Sequence, residues 1–168
     1  MSAPFFQSEA IKRLHRRAQA WQGTPFRERH CLPQVGVDCV PFVWDLMHAS
    51  RVCGPVDLAA IPPYKTDWSA HNDQSILLPI LDDWLEREEI ATQKIEDRDA
   101  LQAGDVLIFS PGKCAHHLGV ALSATHFIHV YRGPGVVRDP LDHKRFSRYF
   151  QSALRPLAQA DNATSGAG

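Results

Sequence analysis

Between Gly36 and Ser50 the chain reads GVDCVPFVWDLMHAS, a helix that opens on a cysteine. Val40, Val43, Trp44 and Met47 recur at the i, i+3, i+4, i+7 spacing of one buried helical face. Asp38 suits an N-cap and Pro41 is tolerated only in a first turn, so Cys39 falls at the helix N-terminus. Any fold for this chain must bury that stripe while its helix start presents a thiol. Unpaired backbone N–H groups and aligned peptide dipoles favour negative charge there. The Cys39 thiol is therefore expected to titrate roughly one to several units below the free value of about 8.5. The alternative is a small buried hydrophobe, which most free cysteines are, and only partners elsewhere in the chain decide between the two.

Composition narrows the field of partners. A length of 168 residues with 44% hydrophobic and 22% charged content suits one soluble globular domain, expected over residues 1–156 with a disordered tail over 157–168. A formal charge of -1 makes no case for nucleic acid, and KRLHRR at positions 12–17 reads as the solvated face of a helix. Cys31, Cys39, Cys53 and Cys114 lack the paired CxxC spacing of structural zinc and are too few for a disulfide scaffold. A zinc site from Cys114, His116 or His117 with Cys39 does not match common ligand spacing, so no metal is expected. No apolar run approaches the ~20 residues of a membrane span, and MSAPFFQSEA lacks the basic and apolar regions of a signal peptide. No membrane partner is expected, and synthesis in the cytoplasm is.

The remaining elements follow from period and punctuation. Ser8 is expected to cap a helix running to about Trp21, with Ile11, Leu14, Ala18 and Trp21 on one face and Gly23 past its end. Thr24 to Val35 reads as loop, and the cysteine helix is expected to end near Gly54. PVDLAAIPPYKTDW has three prolines and no sustained period, which predicts a long ordered loop of the kind that shapes binding sites; Tyr64 lies in it. A further helix is expected within Ile76–Ile90, opened by Pro79. From Asp105 onward DVLIFS, HLGVALS and HFIHVYR read as strands, the last two joined at Ser123 to Thr125, with one more short strand or helix around Arg145 to Leu154. The fold class is α+β, with N-terminal helices packed on a C-terminal antiparallel sheet.

Of nine histidines, four fall on or beside the predicted hairpin: His116, His117, His126 and His129. A three-residue turn pairs 122 with 126, so residues of equal parity share a face, whereas a two-residue turn would reverse this. His117 and His129 then share one face and His116 and His126 the other, and parity alone does not say which faces the cysteine helix. Leu118, Val120, Leu122, Ile128 and Val130 make the even face look like core. His117 and His129 stand on the other, beside Gly119 and Ala121, small residues that leave room for close approach. A thiol nucleophile needs an imidazole as base and acid and a third polar group to hold the imidazole tautomer. Cys39, His117 and His129 are one of each.

The order GVDC, LQAGDVLIFS, HHLGVAL, FIHV resembles the NlpC family of papain-like cell-wall cysteine peptidases, over roughly Trp21 to Val130. The resemblance matches Asp38-Cys39-Val40-Pro41-Phe42 to the family's cysteine motif, Ala103-Gly104-Asp105 to its turn, His117-Leu118-Gly119 to its H-x-G motif and His129 to its third polar residue. It implies a papain-like NlpC fold, no cofactor, and hydrolysis of an amide in the peptidoglycan stem peptide, such as D-glutamyl to diaminopimelate. Two departures stand out. Val40-Pro41 replaces the usual Ser-Gly, and Phe26 falls where the family commonly has a tyrosine that helps the oxyanion site. Oxyanion stabilisation is then expected mainly from backbone N–H groups, that of Cys39 included, with Asp38, Phe26 and Tyr64 as further substrate-binding candidates. The segment IPPYKTDW and the lack of export signal look most like phage tail peptidases and gene-transfer-agent relatives, which implies phage tail proteins as partners. The rival reading is a non-catalytic structural component of a phage tail with the same fold. Lipid-acting relatives usually carry the histidine before the cysteine, the reverse of the order here.

Overall fold

The chain folds as three helices laid across one face of a six-stranded antiparallel sheet, in a computed structural model that describes residues 2–64 and 73–159. The helices are α1 (Ser8–Trp21), α2 (Cys39–Ala49) and α3 (Leu77–Arg87). A short strand pair, β1 (Cys31–Leu32) with β2 (Gly36–Val37), leads into α2. The sheet contains β3 (Thr92–Ile95), β4 (Val106–Phe109), β5 (His117–Ala121), β6 (His126–Tyr131), β7 (Gly135–Pro140) and β8 (Phe150–Pro156), in spatial order β3-β8-β4-β5-β6-β7. A fourth helix, α4 (Lys144–Tyr149), precedes β8. This is the expected α+β arrangement.

Side-chain alternation divides the sheet into two apolar layers. Val106, Ile108, Leu118, Val120, Leu122, Ile128 and Val130 pack beneath α1, α2 and α3. Leu107, Phe109, Ala121, Phe127 and Ala153 point the other way and pack on Phe146 of α4. The even face is thus core, as its residues predict. The hairpin register pairs Gly119 with His129, Val120 with Ile128 and Ala121 with Phe127, and Leu122 N–H donates to His126 O at 2.8 Å across the turn. That is the register of the three-residue connection.

Helix α2 is more deeply set than its stripe implies, since every residue from Cys39 to Met47 is buried. It contacts α1 along one side and β5 and β6 along the other, so no face is left for water. Its one carboxylate, Asp45, accepts the Arg17 guanidinium fork at 2.6 and 2.8 Å and the Trp21 indole N–H, which satisfies a group that burial would otherwise penalise. At the Ala103-Gly104-Asp105 turn, Gly104 has φ +92° and the Phe6 ring occupies the space a Cβ would need. Asp105 accepts a second buried fork, from Arg155 of β8, at 2.8 Å to each oxygen. The motif ties β8 to the turn that starts β4.

Several boundaries differ from the sequence reading. Gln7, not Ser8, stands at the N-cap of α1, and α2 ends at Ala49 because the chain turns through Arg51 at φ +69°. Pro79 is the third residue of α3, where its missing N–H has no intrahelical partner to lose. The loop over 24–35 contains β1, and Phe26 bridges Val37. The region around Arg145 to Leu154 holds both a helix and a strand. The expected tail begins too early: Leu157 N–H donates to Ala91 O and Ala158 N–H to Ala3 O, while residues 160–168 lie outside the described part.

Candidate active site

Cys39 is the first residue of α2, so its backbone N–H has no acceptor one turn back. Asp38 occupies the N-cap position with extended φ -115° and ψ 162°, but its side chain does not cap. Its carboxylate accepts from Tyr64 Oη at 2.7 Å and from Arg29 N–H at 3.2 Å. The Asp38 carboxylate and the Leu118 amide act on the Cys39 thiol in opposite senses, the first raising and the second lowering the pH at which it ionises. The sulfur therefore meets β5 one residue past His117.

The thiol does not titrate low. Cys39 is 9% exposed, and burial first, then the Asp38 charge, pushes it well above the ordinary thiol value. The Leu118 amide pulls the other way but does not prevail. A helix terminus contributes only about 0.3–1 kcal/mol, or up to ~2 kcal/mol when partly buried, which desolvation of a buried anion exceeds. At neutral pH the sulfur is protonated, contrary to the expectation from the helix start alone.

His117 and His129 come together as parity predicts. Being diagonal neighbours on adjacent strands, they place His117 Nε2 at 2.8 Å from His129 Nδ1, with ring centroids 5.0 Å apart at 74°. His129 is fully buried, its ring packed against Phe127 and Phe146 at 4.6 Å and stacked on Tyr131 at 5.0 Å. Gly119 does not leave room for an incoming group. A Cβ there would lie 3.0 Å from the Phe127 ring and 3.3 Å from His129 Cβ, so the space already belongs to the histidine. His129 Nε2 lies 2.9 Å from Asp139 Oδ2, a contact the sequence reading missed because β7 was not read as a strand. The Gly-Pro-Gly turn at 133–135, followed by Val136 and Val137, was the available signal.

Burial first, then the cost of a second cationic charge beside His129, His116 and Arg145, holds His117 well below the usual imidazole range. Burial also lowers His129, against the Asp139 carboxylate that raises it. Burial thus biases both rings and the thiol toward their neutral forms.

A cavity of about 340 Å³ opens over these groups, and Cys39 and His117 both line it. No hydrogen bond joins them directly, while His129 and Asp139 lie behind His117 rather than on the wall. Asp38, Phe26 and Tyr64 are also on the wall, so all the candidate binding residues converge. Phe26 lies beneath the Arg132 guanidinium at 5.6 Å. Tyr64 brings a phenol to a cavity whose expected tyrosine position is phenylalanine. Neither Val40 nor Pro41 lines it. Among the described residues, no group of three or more His, Cys, Asp or Glu side chains is arranged to hold a metal ion.

Comparison with known proteins identifies the family. The NlpC/P60 family model matches residues 17–155, and the chain belongs to that family. It is 29% identical to the Probable endopeptidase NlpC of Escherichia coli (strain K12) over 147 residues, which make up 86% of this chain and 77% of that protein. Among solved structures it resembles an NLP/P60 family protein similar to lipoprotein from Staphylococcus aureus subsp. aureus Mu50, at 17% identity and TM-score 0.62. That alignment covers 92% of this chain and 43% of the other, so this chain spans less than half the staphylococcal length. It also resembles the NlpC/p60 domain of peptidoglycan hydrolase SagA, at 19% identity and TM-score 0.53, over 89% of this chain and 98% of that one. These two likenesses establish the fold.

Proposed function

We propose that this NlpC/P60 chain is a cysteine peptidase that hydrolyses an amide bond in peptidoglycan stem peptides, one involving a D-amino acid such as D-glutamyl to diaminopimelate. The observation that supports it is a single cavity walled by Cys39 and His117, with His117 held by His129 at 2.8 Å, in a member of this family. Cys39 is the nucleophile, His117 the base and then the acid, and His129 orients His117. Because thiol and imidazole are both biased toward their neutral forms, the Cys39 proton passes to His117 Nδ1 as sulfur attacks the carbonyl carbon. The Cys39 N–H stabilises the oxyanion, while the Tyr64 hydroxyl on the same wall donates its one proton to Asp38. The imidazolium then protonates the leaving amine, leaving a thioester. Water attacks that thioester, gives its proton to His117, and the carboxylic acid product departs as the proton returns to sulfur.

Phage tail proteins as partners, and delivery from the cytoplasm within such a particle, belong to the same reading and rest on the IPPYKTDW likeness alone. Lys65 to Trp68 of that segment lie outside the described residues. One observation favours a second reading, a non-catalytic tail component: the thiol is buried, and burial and the Asp38 charge both hold it toward the protonated form. Hydrolysis of purified muropeptides by wild type and Cys39→Ala separates the two. The peptidase reading expects products from the wild type and none from the variant; equal activity, or none from either, sinks it.

A further inference from the structure

The histidine pair is the middle of a longer staircase. His117 of β5 stands two residues before Gly119, which is level with His129 of β6 and Val137 of β7; one step further, Ala121 is level with Phe127 and Asp139. From His117 to His129 to Asp139, each move is therefore one strand across and two residues along, always on the same sheet face. The two contacts close at 2.8 and 2.9 Å.

The chemistry of the last group runs back through both rings. An ionised carboxylate only accepts hydrogen bonds, so His129 Nε2 must carry its proton. The neutral His129 ring then has a bare Nδ1, which accepts from His117 Nε2–H. His117 is thereby left with its lone pair on Nδ1, the one ring atom of the pair with no partner among the described residues, on a side chain that lines the cavity with Cys39. His129 is fully buried among the Phe127, Phe146 and Tyr131 rings, and the hydrogen bonds to its two nitrogens run to His117 and Asp139.

We propose that Asp139 is a positioning residue, which sets the tautomers of His129 and His117 in series and so aims a bare Nδ1 at the thiol two residues up the relay. The proposal rests on the peptidase reading for its effect on turnover but not for the tautomers themselves. Replacing the carboxylate by an amide brings a donor within reach of His129 Nε2, where the carboxylate could only accept. A side-chain amide N–H at position 139, facing that nitrogen, would put the His129 proton on Nδ1, where it opposes His117 Nε2–H, and His117 escapes by moving its proton to Nδ1. The base is then blocked by its own hydrogen.

The test is Asp139→Asn in the full chain, read by nitrogen NMR of the imidazoles and by muropeptide hydrolysis. The wild type should show His117 protonated on Nε2 and bare on Nδ1. Asp139→Asn should invert both rings and lower kcat by about 10²-fold or more with KM little changed. Asp139→Glu, which restores an acceptor, should return the wild-type tautomers. The proposal is overturned by a wild type protonated on His117 Nδ1, by an amide variant with unchanged tautomers, or by inverted tautomers with full activity. The spectra need no turnover, so a wild type that hydrolyses nothing would remove the peptidase reading without touching the tautomer assignment.

Discussion

The two faces of the β5–β6 hairpin are made by the same eleven strand residues and do opposite work. The even face is aliphatic except for His126 at the start of β6, and it packs under α1, α2 and α3. The odd face holds two imidazoles in an aromatic nest, His129 buried and His117 half-buried, and hydrogen-bonds them to each other and to Asp139. The contrast shows how a strand with period two holds chemistry rigidly: the packed side sets the backbone, and the backbone sets the angle between the histidines. Cys39 comes from the packed side and meets the other at the strand end, through the Leu118 amide.

The sharpest way to separate the faces is His117→Ala, which should lower muropeptide hydrolysis by about 10²–10⁴-fold while the melting temperature stays close to wild type. A large thermal shift with retained turnover would mean that the odd face is structural too. Leu118→Ala, one residue along, should do the reverse. It should cost about 2–5 kcal/mol in denaturant unfolding and leave activity per folded molecule nearly intact.

Gly119→Ala tests whether the odd face is as tightly specified as the core. The added methyl meets Phe127 and His129, so about 1–3 kcal/mol of overpacking is expected, together with a loss of turnover larger than stability explains. If only stability falls, His129 does not depend on that close approach.

Protonation probes the same contrast more gently. The folded chain holds His117 below the unfolded value of about 6.5, so the unfolded chain takes up the proton first as pH falls. Stability from this site is present above about pH 6.5 and is lost below it, by at most about 1.4 kcal/mol per pH unit for one group. Thermal scans from pH 7 to pH 5 should fall less steeply for His117→Asn than for wild type. Cys39 has the opposite sign: its raised thiol value means that stability is present below about pH 8.5 and is lost as pH rises beyond it. Iodoacetamide should accordingly modify Cys39 with a midpoint above about pH 8.5, and a midpoint below 8 would restore the ion-pair picture.

Much of this site was readable before folding was considered. Spacing located α2 and its cysteine start, and three turn residues at 123–125 set the hairpin register that makes His117 and His129 neighbours. Asp139 escaped because β7, reading GVVRDP, has only a short apolar run and ends on proline, so it does not look like a strand without its partner. The Asp38 side chain was misjudged for a related reason. It looked like a cap from its neighbours in sequence, yet it is satisfied by Tyr64, 26 positions away.

By itself, the sequence determined what repeats locally: a helix that must begin at Cys39, strands with one apolar face, and which histidines share the other. Those follow from backbone geometry, which acts over a few residues. The protonation of the thiol and the direction in which the two imidazoles are wired were decided only by tertiary structure. Desolvation and hydrogen-bond polarity depend on everything packed around a group, and here the Asp38 carboxylate, the Leu118 amide and Asp139 arrive from separate strands and turns.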